Sequence, residues 1–295
     1  MKIAHLSDPH LANPQRSILQ DFTFSDVMSK RLLGGLNYEF SRKKRHSPTL
    51  FRSLCQDINQ NRPDHIVVTG DITNVSLPSE FQYAKELIAL LDFPPSAMTF
   101  IPGNHDVYVK KAKGLFETYF PAHSQMMHPV GFPCVQILGD LVLISVSTAE
   151  PTLPFFALGH MGKEQREALR NILFLHRGKF RLLLIHHSPV LYNRDFLHGL
   201  RDKKELQAIL QETGCELVLH GHEHRDLVGS LSGPKGKSIP ILGVGSCTYS
   251  DPRMDRRARY HVYTFSGSRL VQMETRVHYL EENRFIQYRL VSMLS

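Results

Sequence analysis

Short runs of Ile, Val and Leu recur along the chain, and several of them end in Gly, Asp, Asn or His. Apolar runs of this length, bounded by turn-forming residues, are typical of buried strands. Six such runs lie ahead of the last quarter of the chain, at residues 2–8, 65–71, 98–106, 141–147, 182–187 and 216–224. The pattern therefore predicts strands that deliver polar residues at their carboxyl ends.

Helical spacing of apolar residues separates these runs. The Ser-Pro pair at 47–48 predicts an N-cap followed by Pro at the first helical position. Residues three apart, Ser79 with Gln82 and Asp202 with Glu205, match the capping-box signature that opens a helix. Four predicted helices result, which begin near residues 48, 80, 163 and 203.

After residue 224 the pattern changes to strands alone, predicted at 239–243, 260–265 and 270–279. Alternating strands and helices followed by a run of strands indicate an α/β layered fold. No repeat, low-complexity segment or linker divides the chain. We therefore expect a single domain over residues 1–295, with a β-rich C-terminal part at 225–295.

Composition narrows the class of protein. The chain has 295 residues, of which 42% are hydrophobic and 21% charged, which excludes disordered, collagen-like and disulfide-scaffold proteins. No apolar run approaches the roughly 20 residues of a membrane span, and no apolar stretch of signal-peptide length opens the chain. The 4 cysteines stand singly, without a CxxC pair. These features predict a cytoplasmic protein with reduced thiols.

The 17 histidines raise the question of where they cluster. Five short polar motifs lie at or just beyond the ends of the predicted strands. They are Asp8-Pro-His10, Gly70-Asp71, Gly103-Asn104-His105-Asp106, His186-His187 and Gly221-His222-Glu223-His224. Open α/β sheets bind ligands at the carboxyl edge of their strands, so these motifs are expected to converge there.

The residue types in these motifs indicate a metal site. Imidazole, carboxylate and amide groups without thiolate suit Mn²⁺, Fe²⁺ or Zn²⁺ with open coordination positions. The candidate ligands are Asp8, His10, Asp71, Asn104, His186, His222 and His224. Seven ligands exceed what one tetrahedral ion needs and predict two divalent ions. In the His186-His187 pair, placement at the strand end favours His186 as ligand, with His187 either beside the substrate or behind the ligands.

The five motifs, in this order, resemble the signature of the calcineurin-like metallophosphoesterase superfamily, and they span residues 8–224. The resemblance implies a four-layer α/β/β/α sandwich with two mixed β-sheets. It also implies that Asp8, His10 and His224 hold one metal and that Asp71 bridges. Asn104, His186 and His222 would hold the second metal. Gly70, Gly103 and Gly221 would let the backbone turn sharply behind the ligands.

The resemblance further implies an enzyme that hydrolyses a phosphate ester through attack by a metal-bridging hydroxide. In it, His105 would act as an acid or a charge-stabilising donor, Asp106 would orient His105, and Asn104 would also contact the phosphate. The motif spacing is most similar to the bacterial cyclic-nucleotide phosphodiesterase branch. The alternative is a pyrophosphatase that acts on a nucleotide-linked lipid such as UDP-2,3-diacylglucosamine.

A basic insertion (residues 28–47) lies between the first two motifs. Within residues 30–45 there are six Lys or Arg residues and one Glu, a net charge of six minus one, or +5, against +7 for the whole chain. Three interpretations stay open: a solvated surface, a contact with an anionic membrane or an anionic substrate, and, less favoured, a nucleic-acid contact. Oligomeric state is not predicted. Histidines outside the motifs, His46 among them, are assigned no function.

Overall fold

The structure, a computed structural model, describes residues 1–124, 131–190 and 195–292. Its first sheet has six strands: β1 (Lys2–Leu6), β2 (His65–Val68), β3 (Met98–Phe100), β10 (Arg259–Ser266), β11 (Arg269–Tyr279) and β12 (Arg284–Ser292). Their spatial order is β12-β11-β10-β1-β2-β3. β1, β2 and β3 run parallel, whereas β10, β11 and β12 are antiparallel, so the sheet is mixed.

The second sheet also has six strands: β4 (Cys134–Leu138), β5 (Leu141–Ser145), β6 (Phe180–Leu184), β7 (Leu217–His220), β8 (Leu227–Ser232) and β9 (Ser238–Gly243). Their order is β4-β5-β6-β7-β9-β8. The four central strands are parallel and the two edge strands antiparallel, so this sheet is mixed as well.

Helices cover the outer face of each sheet. The first sheet carries α4 (Pro48–Asn61) and α5 (Pro78–Ile88), and the second carries α8 (Lys163–Leu175) and α10 (Lys203–Thr213). The short helices are α1 (Phe24–Val27), α2 (Lys30–Asn37), α3 (Lys43–Arg45), α6 (Leu115–Tyr119), α7 (Pro121–Ser124) and α9 (Asp195–His198). No helix among the described residues is long and apolar enough to cross a membrane.

Three apolar layers hold these elements together. Between the sheets, Ile3 packs in one cluster with Leu182 and Leu219. A second cluster joins Leu54 and Phe81 of the outer helices to the first sheet, and a third does the same for the second sheet. The four-layer α/β/β/α arrangement with two mixed sheets is confirmed.

The six predicted motif strands are all present, but they are shorter than their apolar runs. They end at residues 6, 68, 100, 145, 184 and 220, so the polar motifs lie in the loops that follow. Three strands were not predicted. β4 is buried only in its first two residues, β8 alternates between half-buried and exposed residues, and β12 is largely exposed. Such strands lack the continuous apolar run on which the prediction depends.

Two capping predictions are wrong. α5 begins at Pro78, and the Glu80 carboxylate accepts the N–H of Leu77 at 2.9 Å, so Glu80 and not Gln82 closes the first turn. The Asp202 carboxylate does not cap its own helix. It accepts instead the backbone N–H groups of Met161 and Gly162, at 3.1 and 2.9 Å, just ahead of α8. A tertiary contact thus took over the Asp202 carboxylate, whereas Glu80 caps its own helix, which begins earlier than predicted.

Most of the basic insertion is helical. α2 continues into a π-helical turn over Tyr38–Arg42 and then into α3. The segment begins at Ser29, whose side chain accepts the N–H of Arg31. It ends at Ser47, whose N–H donates to the Thr248 carbonyl at 3.1 Å. The insertion is therefore tied at its end to the loop after β9.

Candidate dinuclear metal site

The first group of predicted ligands meets where β1 and β7 end. The His10 Nε2 atom lies 3.1 Å from the His224 Nε2 atom and 3.8 Å from an Asp71 carboxylate oxygen. His224 Nε2 in turn lies 3.2 Å from Asp8 Oδ1. Four residues from three loops thus present ligand atoms to one small volume.

The second group lies on the other side of Asp71. His186 Nε2 is 3.4 Å from Asp71 Oδ2 and 3.2 Å from Asn104 Oδ1. It is also 3.3 Å from His222 Nδ1. The same Asp71 oxygen approaches both groups, which is the position that a bridging carboxylate needs.

Five of the seven candidate ligands have a left-handed backbone. They are Asp8, His10, Asp71, His222 and His224, with φ between 45° and 74°. Non-glycine residues adopt this region at an energetic cost, and such residues cluster at functional sites where the surroundings hold them. Here neighbouring loops hold each other: the N–H groups of Asp8 and His10 donate to the carbonyls of Gly70 and Asp71, both at 3.0 Å.

Glycine is needed behind these ligands for two different reasons. Gly70 has φ +97°, and a Cβ there would lie 2.6 Å from His186 Nδ1. Gly103 has no positive φ, but a Cβ there would lie 2.7 Å from His186 Cε1 and even closer to the Asp71 carboxylate. The sharp turn predicted at Gly103 is therefore better described as a close approach of two loops.

Backbone carbonyls orient the imidazole rings. His10 Nδ1 donates to the Thr73 carbonyl at 3.0 Å, and His186 Nδ1 donates to the Thr69 carbonyl at 2.6 Å. Because a carbonyl can only accept, each bond leaves the Nε2 lone pair directed at the cluster. This is the arrangement by which proteins fix the tautomer of a metal-binding histidine.

The residues of the cluster fit divalent cations. Asp8 Oδ1 is buried, and among the described residues no group donates a well-formed hydrogen bond to it, although His224 Nε2 lies 3.2 Å away. Burying a carboxylate oxygen without full hydrogen bonding is costly. Burial would raise the pKa of Asp71 and lower that of His186, but their mutual attraction reverses both shifts. The pKa of Asp71 lies well below its ordinary value, and that of His186 is raised to about 9. The buried carboxylates therefore need positive charge, which bound metal would supply.

His187 is placed differently from His186. Its Nδ1 atom lies 2.7 Å from the Thr148 hydroxyl and its Nε2 atom 3.1 Å from the Ala157 carbonyl, so both ring nitrogens are used inside the protein. The side chain is fully buried, and its ring centroid lies 4.4 Å from that of His222. The geometry favours His186 as ligand and places the His187 ring against His222, which agrees with the second predicted position of His187, behind the ligands.

Comparison with known proteins agrees with this geometry. The family profile for calcineurin-like phosphoesterases matches residues 1–226. The chain belongs to the calcineurin-like phosphoesterase family. A probable glycerophosphodiester phosphodiesterase of Arcobacter nitrofigilis is 31% identical over 209 residues, which cover 68% of this chain and 70% of that protein. The name of this relative is that of a phosphodiesterase.

The other relative, a probable cyclic nucleotide phosphodiesterase of Rhodococcus erythropolis, is 26% identical over 192 residues. That match covers 64% of this chain but only 59% of the relative, so the chain spans less than two thirds of it. A dimetal phosphatase from Danio rerio has the same fold, with a TM-score of 0.64 at 12% identity over 93% of this chain and 95% of that one.

The family motif residue His105 has an unexpected neighbour. Its Nδ1 atom donates to the Asn74 carbonyl, and Arg42 Nη1 lies 3.0 Å from its Nε2 atom. Burial, followed by the nearby Arg42 guanidinium, lowers the pKa of His105 to about 3. The ring is thus neutral, and its Nε2 accepts from Arg42. His105 was predicted to act as an acid or a charge-stabilising donor, and the positive charge next to it is that of Arg42, a residue of the insertion.

Asp106 contacts the loops instead of the His105 ring. Its carboxylate accepts the backbone N–H groups of Ile72, Thr73 and Gly103 at 3.1, 2.8 and 2.9 Å. It also accepts the Thr73 hydroxyl at 3.0 Å. The hydrogen bonds described for this carboxylate hold together the loops that carry Asp71 and Asn104. The predicted role of Asp106 as a partner of His105 therefore has no supporting contact among the described residues.

His46 was assigned no function from the sequence, yet it lies in the site. Its ring centroid is 4.6 Å from that of His10 and 5.5 Å from that of His224. Its Nδ1 atom is 3.0 Å from the Thr248 hydroxyl, and its side chain is buried. No motif surrounds this residue, so only the fold of the insertion could bring it to the cluster.

The basic residues of the insertion mostly turn inward. Arg31 is buried and pairs with Asp26 at 2.6 Å, and Lys43 pairs with Glu39 at 3.3 Å. Lys30 Nζ donates to the Phe156 carbonyl at 3.0 Å and lies 4.3 Å from the centre of the Tyr108 ring, which stacks on His105. Of the six basic residues, Lys44 and Arg45 are the exposed ones. The insertion forms a cap beside the cluster instead of a solvated basic face.

Proposed function

We propose that this protein is a metal-dependent phosphodiesterase with two divalent ions. The observation that carries the proposal is the pair of ligand groups that share Asp71, together with the buried Asp8 oxygen that faces His224 Nε2. The names of its relatives, a cyclic nucleotide and a glycerophosphodiester phosphodiesterase, support a diester as substrate.

In this proposal each ligand group holds one ion. Asp8, His10 and His224 hold the first, Asn104, His186 and His222 hold the second, and Asp71 contacts both. Bound Mn²⁺, Fe²⁺ or Zn²⁺ would supply Lewis acidity at the phosphate and lower the pKa of water, which makes a nucleophile near neutral pH. All three metals accept this mixture of imidazole and oxygen ligands.

The remaining residues position the phosphate and its charge. Arg42 is the cation closest to His105, and we assign it the stabilisation of negative charge on the phosphate. Neutral His105 holds Arg42 by accepting from it, and its second nitrogen is fixed on Asn74. Asp106 is a positioning residue that fixes the loops of Asp71 and Asn104.

An apolar rim keeps the lipid-substrate alternative open. Phe24 and Phe40 of the insertion region are 84% and 79% exposed. Phe155, next to the carbonyl that Lys30 contacts, and Phe196 are 83% and 82% exposed. An exposed Phe40 on the same segment as Lys44 and Arg45, with further exposed aromatics elsewhere, suits peripheral contact with an anionic membrane. If this contact exists, replacing Phe40 and Phe155 by Ser will weaken sedimentation with phosphatidylglycerol vesicles.

A substrate panel tests the proposed function. The purified protein, loaded in turn with Mn²⁺, Fe²⁺ and Zn²⁺, is offered cyclic AMP, glycerophosphocholine, UDP-2,3-diacylglucosamine and p-nitrophenyl phosphate. We expect hydrolysis of at least one diester, at least about tenfold faster than the monoester. Asp71→Ala protein purified in the same way controls for contaminating phosphatases. Failure to cleave either diester with any metal contradicts the proposal, and preferred cleavage of the lipid identifies the alternative.

A further inference from the structure

Beside the first ligand group lies a cavity of about 330 Å³. Four arginines line it: Arg42 and Arg45 of the insertion, Arg225 directly after the last ligand, and Arg256 of the loop before β10. Glu223 is the one carboxylate in this lining, so the charge of these groups is four minus one, or +3. We call this cavity the arginine pocket.

The arginines of this pocket differ from others in the molecule. Arg181 is held by Glu216 at 2.8 Å, Arg259 by Asp226 at 2.7 Å and Arg276 by Asp57 at 2.7 Å. Within the described part of the chain, no carboxylate oxygen forms an ion pair with any of the four pocket arginines. Several unpaired guanidinium groups repel one another unless an anion lies between them.

The arginine pocket is continuous with the metal cluster. His224, a candidate ligand, and His46, whose ring lies 4.6 Å from that of His10, belong to both. Arg42 lines the pocket and also contacts His105 at 3.0 Å. An anion in the pocket would therefore lie beside a phosphate held at the cluster.

We propose that the arginine pocket binds a second anionic group of the same substrate molecule. The substrate class is then a phosphodiester that carries a further phosphate or phosphonate, as distinct from a diester with neutral substituents. Guanidinium groups bind such oxyanions through two parallel N–H bonds, which explains arginine in preference to lysine. This inference rests on the proposed function. A concave pocket bordered by metal ligands favours a substrate group over a flat lipid surface.

Two chromogenic substrates with the same leaving group test the proposal. Methyl p-nitrophenyl phosphate lacks a second anion, and 2-phosphonoethyl p-nitrophenyl phosphate carries one that cannot be hydrolysed. For the metal-loaded protein we expect kcat/KM to be at least about tenfold higher for the phosphonate, mainly through KM, because charge-assisted bonds to an oxyanion form in the complex.

A double variant, Arg45→Ala with Arg256→Ala, connects the preference to the pocket. The ratio of the two kcat/KM values is expected to fall towards one. Arg253→Ala is the matched control, since this arginine lies in the same loop as Arg256 but pairs with Asp251 at 3.0 Å. Arg253→Ala is expected to keep the wild-type ratio of kcat/KM for the two esters. It removes one positive charge, as do Arg45→Ala and Arg256→Ala individually.

The outcomes distinguish failure of the arginine-pocket proposal from failure of the proposed function. Equal kcat/KM values in the wild type, with clear release of p-nitrophenolate from the methyl ester, overturn the arginine-pocket proposal and leave the proposed function standing. A preference that survives the double variant also overturns it, because the second anion then binds elsewhere. Activation of methyl ester hydrolysis by inorganic phosphate would overturn it in favour of a separate anion. No hydrolysis of either ester contradicts the proposed function itself.

Discussion

The ligand cluster and the basic insertion are held in place by different means. The cluster consists mostly of buried side chains, with His222 and His224 partly exposed, on strained loops that bond to one another, such as Asp8 to Gly70. The insertion is a helical segment joined to the body by a few polar contacts, and much of its surface is exposed. The candidate hydrolytic centre is thus built into the sheet edges, whereas the cap beside it is a separately held segment.

The polar contacts of the insertion are nevertheless strong. Arg31 donates to the carbonyls of Val75 and Ser76 at 2.9 and 2.7 Å, while its other side pairs with Asp26. These carbonyls belong to the loop that follows Asp71. A buried arginine therefore couples the position of the cap to the loop of the bridging ligand.

The largest effect is expected from the cluster. Asp71→Ala and His222→Ala should each lower kcat for bis(p-nitrophenyl) phosphate by at least about 10³-fold, since these side chains would hold the ions that act as Lewis acids and lower the pKa of water. Bound metal, measured by elemental analysis, should fall as well. His160→Ala, a partly exposed histidine that faces Glu150, is the control and should change neither quantity. Full activity and full metal content in both ligand variants would remove the basis for a two-metal centre.

Arg42→Ala tests whether the cap takes part in the chemistry. We expect kcat to fall by about 10²-fold, as for loss of one charged donor to a transition-state oxyanion, with metal content unchanged. Arg42→Lys should recover part of this loss, because it keeps the charge but not the fork geometry. If steady-state kinetics show wild-type kcat for Arg42→Ala, the cap has no part in charge stabilisation.

Asp26→Asn tests the anchor of the cap. Loss of the buried partner of Arg31 should cost about 3–5 kcal/mol, seen as a lower Tm and faster hydrogen exchange in residues 28–47. Asp21→Asn is the matched control, because its partner Arg16 is half exposed and the expected cost is below about 1 kcal/mol. Equal Tm values for the two variants would show that Arg31 does not anchor the insertion.

The stability that the Asp26–Arg31 pair contributes should depend on pH. Burial opposes ionisation of Asp26, but hydrogen bonds from Lys111, Thr23 and Arg31 lower its pKa well below the ordinary value. A carboxyl with a depressed folded-state pKa contributes stability that is present at neutral pH. That contribution is lost as the pH falls from the ordinary range of Asp towards the folded-state pKa. The difference in Tm between wild type and Asp26→Asn should therefore shrink on acidification.

The smallest effect is expected at Lys30. Burial, partly offset by the attraction of Asp71, lowers the pKa of Lys30 to about 8. If its charge helps to hold an anionic substrate, KM should rise severalfold between pH 7 and pH 9. Arginine stays charged between pH 7 and pH 9, so Lys30→Arg should abolish the rise in KM. The same substitution at the exposed Lys44 should leave the rise in KM unchanged. A flat wild-type KM profile would separate Lys30 from substrate binding.

Much of the site could be predicted from the chain alone. Each candidate ligand follows an apolar run, and the carboxyl ends of parallel strands share an edge, so the convergence of Asp8, Asp71 and His186 follows from local pattern and sheet geometry. Capping was less predictable, because the carboxylates of Glu80 and Asp202 satisfied backbone donors that the local sequence does not identify.

The sequence by itself determined the candidate chemistry: which side chains are proposed to bind metal, in which order they occur, and on which kind of sheet they lie. Only the tertiary structure decided which of the remaining polar residues join them. Arg42 and His46 carry no local signature, and His187 differs from His186 only in the direction in which the fold turns its ring. Contacts between segments far apart in the chain made these choices, because burial and charge depend on all neighbours at once.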